Sequence, residues 1–396
     1  MSLCLNMIVK NESHIIEKTL ENICQNFRLS YWVIADTGSS DNTIMMIKNF
    51  FKGKRIPGEI LQHEWTDFSH NRNLALAGCL KKSDYILIFD ADDVIEGDLQ
   101  LPELNKDAYY LQLTDENKTT RYLRKLIIKN NGCYQWRGVL HEFLESSQSN
   151  ENTEEVLGNY VVISGRKGSR SLDKNKYLKD AELLERAYLS GNDPDLLPRY
   201  AFYCAQSYKD AGLIDNAIEW YQKRIKLEAG WYDEKYCSFE QLGLLYESQK
   251  NYKEAHYYWQ MGIAHDSQRA ECWYHAARCY SWNHHKELAY CFAKQASEIK
   301  IPEGNRLFIQ KDIYNFWSLY EWCLNAYRLG KIEESYQAFK KLVICCPEDL
   351  VNRLTNQLKE YRSLIMQDTF YEGQSLAFHL QRIGKRALLE QILNSR

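Results

Sequence analysis

Four stretches in the second half of the chain repeat one pattern of small residues. Ala205, Gly243, Ala277 and Cys323 each open a block, and a second small residue follows twelve positions on: Ala217, Ala255, Ala289 and Ser335. Bulky residues then often sit four further along, at Tyr221, Trp259 and Phe339. A small residue lets two helices approach closely, and an aromatic fills the gap to the next pair. The first two steps are 38 and 34 residues and the third is 46, which implies an insertion around Ile301–Gln310. A period near ~34 residues is that of stacked helix pairs, which bury a continuous core only by packing on their neighbours. The second half is therefore predicted to be an all-α solenoid of three to four helix pairs. The amphipathic stretch "YLKDAELLERAYLSG" leads into it.

The first half reads differently. Apolar runs at Leu3–Val9, Tyr31–Ala35 and Tyr85–Phe89, with a weaker one in "EILQH", alternate with helical patterns through Ile15–Ile23, Ile44–Phe51 and "FSHNRNLALAGCL". Strands separated by helices predict a parallel, doubly wound α/β sheet, whose ligands bind at the carboxyl ends of the strands. "AYYLQL", "RYLRKLIIK" and "NYVVIS" are further strands, with a turn at Asn130-Asn131-Gly132. "SSQSNENTEE" reads as a polar loop. A change of domain is expected between 172 and 173, giving an α/β domain at 1–172 and a helical domain at 173–396.

Bulk properties narrow the function. A net charge of −3 gives no drive toward nucleic acid or anionic membrane. No apolar run is long enough to span a bilayer, and Leu3–Val9 reads as a strand rather than a leader, so a cytoplasmic protein is expected. The twelve cysteines are scattered, form no CxxC pair, and fall in part at core-like helical positions, so they are expected to be reduced.

The chemistry concentrates at strand ends. In "YILIFDADDVIEG", three carboxylates, Asp90, Asp92 and Asp93, follow a buried strand. Residues two apart on a strand share a face, so Asp90 and Asp92 are expected to converge on a hard cation, Mg²⁺ or Mn²⁺, which completes its shell with phosphate. The plainer alternative is a solvated acidic turn. Asp36 closes the second strand, where it suits a hydrogen bond from a base N–H and equally an N-cap before Gly38. Gly38 and Ser39 permit a tight turn there. His141-Glu142 form a third constellation, at a predicted strand end.

"CLNMIVKNES", "IADTGSSDNT", "FSHNRNLAL", "IFDADD" and "GVLHE" occur in this order. Together they resemble the family 2 (GT-A fold) glycosyltransferases, in the branch that appends tetratricopeptide repeats. Peptide S-glycosyltransferases and glycosyltransferases of large DNA viruses are similar along nearly the whole chain. The resemblance implies a hexosyltransferase that is metal-dependent and inverting. Its donor is a nucleotide sugar, a UDP-sugar by the match of Asp36 to the base-binding aspartate. It implies that Val9, Asn11 and Glu12 line the nucleotide site, that Asp90 and Asp92 bind the metal, and that Arg72 lies beside the donor, contacting diphosphate or bracing Asp90. A general base must take the acceptor's proton. Glu142 is the first choice and Asp93 the second, with His141 a ligand of the metal or of phosphate. Many relatives carry a histidine after the next strand, where this chain reads "ISGRKGSRS"; Arg166, Lys167 and Arg170, with Gly165 and Gly168, are the residues available there for diphosphate. The acceptor is a protein, a glycan or a small molecule, and the repeats suit acceptor docking or a homodimer. A viral origin would place the enzyme in the host cytoplasm or the virion. A nucleotidyltransferase is the rival enzyme, but "IVKNESH" lacks the glycine-rich loop that holds triphosphate. A repeat scaffold with a vestigial α/β domain is the non-enzymatic alternative.

Overall fold

The computed structural model describes residues 1–396 except 119–120, 166, 305, 348–349, 351–352, 355–356, 358–359, 362–363, 366–375, 383, 385–386, 388 and 391–396. It divides into two compact units, Met1–Leu213 and Ile214–Arg396.

The first unit begins β1 (Leu3–Val9), α1 (Ile16–Asn26), β2 (Tyr31–Asp36), α2 (Thr43–Lys54), β3 (Gly58–Gln62), α3 (Phe68–Gly78) and β4 (Tyr85–Ile88). These strands pair in parallel in the order β3-β2-β1-β4. Their runs are apolar on both faces because helices cover both: Leu5, Met7, Ile34 and Leu87 pack on one face with Ile16, Leu20, Ile23 and Ile47, and Cys4, Val33 and Ile86 on the other with Leu76 of α3. Trp32 stacks on Phe51 of α2 at 4.6 Å.

Beyond β4 the sheet is mixed, and the parallel order is confined to β1–β4. Five further strands are β5 (Val94–Asp98), β6 (Ala108–Thr114), β7 (Arg121–Lys129), β10 (Thr153–Glu155) and β11 (Asn159–Ile163); between β7 and β10 lie β8 (Tyr134–Arg137) and β9 (Phe143–Ser146). The order continues β4-β7-β6-β11-β5, with β7 antiparallel to both β4 and β6, and β5 antiparallel to β11. The cause is loop length: only residues 115–120 separate β6 from β7, and a parallel return needs a crossover of a dozen or more. The polar stretch expected as a loop contributes β10, which adds in parallel to β6, and Glu151 there pairs with Lys125 at 2.7 Å. β8 and β9 form a separate two-stranded sheet.

The last strand of the sheet ends at Ile163, and α4 (Lys176–Ser190) and α5 (Leu197–Asp210) follow. Compaction runs past them to Leu213, so both helices lie in the first unit.

The second unit holds α6 (Ile214–Lys226), α7 (Tyr232–Ser248), α8 (Tyr252–His265), α9 (Glu271–Trp282), α10 (Lys286–Glu298), α11 (Ser318–Arg328) and α12 (Ile332–Cys345) among its described residues. The second, third and fourth repeat blocks straddle the turns of the pairs α7–α8, α9–α10 and α11–α12, and Ala217, Ala255, Ala277, Ala289, Cys323 and Ser335 are fully buried. A Cβ on Gly243 would fall 2.1 Å from the Trp259 indole nitrogen, so this position accepts glycine alone without repacking. The long step is filled by an irregular segment between α10 and a π-helical turn at Ile313–Trp317. Its Arg306 bridges Asp233, at 2.9 Å, and Asp266, at 2.6 Å. No helix among the described residues is long and apolar enough to cross a membrane.

Candidate active site

The site is assembled at the carboxyl edge of β1, β2 and β4. Val9 pairs with Asp36 across β1 and β2, and the Val9 carbonyl accepts the Thr37 N–H at 3.0 Å. Asn11 takes a positive φ of 57°. Its N–H donates to Ser39 Oγ at 2.9 Å and its Oδ1 accepts the Ser40 N–H at 2.7 Å. The Glu12 N–H donates to Thr43 Oγ1 at 2.8 Å. Asp36 is buried, and its Oδ2 accepts the N–H groups of Gly38 and Ser39, both at 3.0 Å. Gly38 has φ +99°, which the turn requires and glycine supplies. The edge is thus a rigid pair of turns that lock Val9, Asn11, Asp36, Gly38 and Ser39 together.

The acidic turn departs from the strand geometry expected of it. β4 stops at Ile88, and Asp90–Asp93 form a turn in which the Asp93 N–H donates to the Asp90 carbonyl at 3.3 Å. Alternation therefore no longer applies, and the three carboxylates face three ways. Asp90 accepts Arg72 Nη2 at 2.7 Å and Arg124 Nη1 at 2.8 Å. Burial alone would raise the Asp90 pKa, but the two guanidinium charges overcome it and hold it well below the usual carboxylate range. Asp92 Oδ2 accepts the Gly168 N–H at 3.1 Å. Burial raises its pKa, with Asp90 adding and the Gly168 bond offsetting. Asp93 is 1% exposed. Its Oδ1 accepts the Gly165 N–H at 3.1 Å and its Oδ2 has no partner. Burial, then the Asp90 charge, pushes its pKa up to about 8. A carboxyl so enclosed does not reach an acceptor, which removes Asp93 as the second choice of base.

Arg72 braces rather than reaches out. Besides Asp90 it donates from Nε to Glu142 Oε1 at 2.7 Å and lies over the Trp136 ring at 4.9 Å. Glu142, Arg72, Asp90 and Arg124 thus form one alternating chain of charges. Arg124 was not singled out in the sequence. The available signal was a charge in β7 two residues before buried Leu126, with which it shares a strand face.

His141 and Glu142 lie in the β8–β9 connection, not at a free strand end. The His141 ring stacks on Tyr203 of α5 at 3.9 Å. Packing of the ring, then the charges of Arg199, Arg170 and Lys176, push its pKa down. The expected metal set of Asp90, Asp92 and His141 is not gathered. Among the described residues no three His, Cys, Asp or Glu side chains cluster to hold an ion, and Asp90 is already bonded to two arginines.

The glycine-rich segment after β11 lies across this turn. A Cβ on Gly165 would fall 1.9 Å from the Asp92 carbonyl oxygen, and one on Gly168 would lie 3.1 Å from Asp92 Oδ2 and 3.4 Å from Glu12 Oε1. The Ser169 N–H donates to Glu12 Oε1 at 3.2 Å. Backbone N–H groups of this segment therefore sit on the Asp92 and Glu12 carboxylates. The Lys167 carbonyl bonds His14 Nε2 at 2.8 Å. Arg166 lies outside the described residues. Arg170, expected to face diphosphate, pairs with Asp180 of α4 and lies over the Phe68 ring.

Residues 4–110 match the model of Glycosyl transferase family 2. No curated protein matches the chain. Among solved structures, TarS 1–349 from S. aureus in complex with UDP-GlcNAc is 13% identical, covering 64% of this chain and 89% of that chain at a TM-score of 0.38. YrrB, a TPR protein with an unusual peptide-binding site, is 12% identical over 54% of this chain and 91% of its own, at 0.35. MamA is 17% identical over 46% of this chain and 93% of its own, at 0.34.

Proposed function

We propose that the chain is an inverting glycosyltransferase that moves a sugar from a UDP-sugar to an acceptor hydroxyl or thiol, with Glu142 as general base. One observation carries the reading. Within and beside the family 2 segment, Asp36, the Asp90–Asp93 turn, Arg72 and Glu142 all gather at the carboxyl edge of the parallel strands, where such sheets bind ligands.

Arg72 aims the Glu142 carboxylate beside the acidic turn. Glu142 takes the proton of the acceptor O–H or S–H. The acceptor atom bonds to the anomeric carbon, the carbon–oxygen bond to the diphosphate breaks, and its electron pair leaves with the nucleoside diphosphate. Attack from the face opposite the diphosphate inverts the anomeric centre. Asp36 and Asn11 orient the nucleotide end.

The residues fit a divalent cation in its low-carboxylate mode. Asp92, and Glu12 beside the same glycine, would hold it, and phosphate and water would complete the shell. Bound there, the cation supplies neutralisation of the departing diphosphate.

The test is release of nucleoside diphosphate from a panel of UDP- and GDP-sugars with Mn²⁺, Mg²⁺ or EDTA. The reading expects UDP release that needs the metal. Preference for GDP-sugars rejects the Asp36 assignment, and no release from any donor rejects the enzyme reading in favour of a scaffold.

A further inference from the structure

Glu142 stands on a loop that does not hold itself. The β8–β9 hairpin is a two-stranded sheet of its own, and such a ribbon is marginal without support. Its connection takes positive φ at Gly138 (95°) and at His141 (53°). That conformation costs a non-glycine residue some energy, which contacts around it must offset.

Those contacts come from α5. Arg199 donates to the His141 carbonyl from Nη2 at 2.8 Å and from Nε at 3.1 Å. The Arg199 guanidinium also covers the Phe143 ring at 5.4 Å and the Tyr203 ring at 4.9 Å. Tyr203 stacks on the His141 ring within 15° of parallel. In the short turn just before α5, Asp195 pairs with Arg137 of the same hairpin at 2.7 Å. From the opposite side the Phe68 N–H donates to the Val139 carbonyl at 3.2 Å. The residue that follows His141 is Glu142, whose carboxylate must meet both Arg72 and the acceptor.

We propose that Arg199 and Tyr203 are positioning residues for the transfer reaction: they fix the His141 backbone and ring, and through them the Glu142 carboxylate. This rests on Glu142 as the base. Helix α5 is by this account a wall of the active site rather than the start of a tail. Displacing a catalytic group by about an ångström costs on the order of a hundredfold in rate. The loss belongs in kcat and not in donor affinity, because Asp36 and the acidic turn do not depend on α5.

The experiment uses the full chain and two readouts. The first is UDP release, with water as acceptor, from the UDP-sugar that reacts fastest in the panel. Arg199→Ala and Tyr203→Leu should lower kcat about ten- to a hundredfold with an unchanged KM for the donor. Arg199→Lys, which keeps a donor for the His141 carbonyl, and Tyr203→Phe, which keeps the ring, should recover most of it. In a Glu142→Gln background Arg199→Ala should add less than about a twofold loss, since the two act as one unit. The second readout is amide hydrogen exchange. Residues 138–143 should exchange at least about tenfold faster in Arg199→Ala while the core of α4 stays protected. Unchanged exchange in the loop, or an equal kcat loss in both backgrounds, overturns the proposal. A slow Glu142→Gln beside a normal Arg199→Ala overturns it while sparing the base. A normal Glu142→Gln removes the base assignment and the proposal with it.

Discussion

Each aspartate of the acidic turn has its own surroundings, and each predicts a different result. Asp93 is enclosed with one oxygen unpaired, and its folded pKa of about 8 lies far above the ~3.9 of an unfolded aspartate. A carboxyl whose pKa is raised by folding contributes stability that is complete below its unfolded pKa. That contribution is lost as pH rises through the folded value. Asp93→Asn imitates the protonated acid and keeps an acceptor for the Gly165 N–H. The variant should gain stability relative to the native chain as pH rises from about 4 to 8. Urea unfolding across that range decides it, and a difference that stays flat with pH rejects the protonated Asp93. On the proposed function Asp92 holds the cation with Glu12, so Asp92→Asn should abolish metal-dependent binding of UDP in calorimetry with the fold intact. Tight, Mn²⁺-dependent UDP binding by that variant rules Asp92 out as the ligand. Glu142→Gln keeps the size and the bond from Arg72 but takes no proton. It should slow turnover about 10²–10⁴-fold without weakening UDP. The sequence showed these residues but not their partners. Asp90 and Asp92 were legible as an acidic pair after a buried strand. Their divergence was not, because it depends on Arg124, thirty-odd residues on, and on Gly168, further still.

Glycines decide how closely elements approach, and two of them separate the site from the scaffold. Gly165 joins β11 to the segment over Asp92, where a Cβ would overlap the Asp92 carbonyl at 1.9 Å. Gly165→Ala must lift that segment off the turn. The Gly168 and Ser169 N–H groups should then leave Asp92 and Glu12, changing UDP affinity while barely touching the helical repeats. Gly243 lies mid-helix in α7, where alanine would by propensity gain up to ~1 kcal/mol. The Trp259 indole stands 2.1 Å from that Cβ and is itself fully buried, so overpacking wins. A net loss of about 1–2 kcal/mol is expected in thermal unfolding, and a stabilised Gly243→Ala would show that the pair is loosely packed. This packing was readable in advance because the repeat wrote it four times. The first half offered no such redundancy. The parallel strands β1, β2 and β4 announced themselves as apolar runs. β5 did not, since "VIEGD" is exposed at four of its five residues and buries only one isoleucine. The antiparallel return of β7 was available only from the short connection before it.

At the scale of the molecule, the boundary of the unit that carries the candidate site matters more than the change of secondary structure. Gly191 closes α4 in a left-handed cap and looks in the sequence like a place to cut. The compact unit continues to Leu213. A fragment of residues 1–191 would lose Arg199 and Tyr203 and leave the His141 carbonyl and ring without them. It would also bare the α4 face that carries Ala181 and Leu184, both fully buried in the intact chain. A fragment of residues 1–213 keeps the whole clamp. The two fragments should therefore differ in kind. Residues 1–213 should unfold in one cooperative step and release UDP from the donor with water as acceptor at close to the full chain's rate. Residues 1–191 should bind UDP, if they stay soluble, but release it about ten- to a hundredfold more slowly. Equal rates from both fragments would mean that α5 has no part in the reaction. Should residues 1–213 also be as slow as residues 1–191, the helices beyond Ile214 belong to the catalytic machinery, and the site extends past the unit that carries its carboxylates.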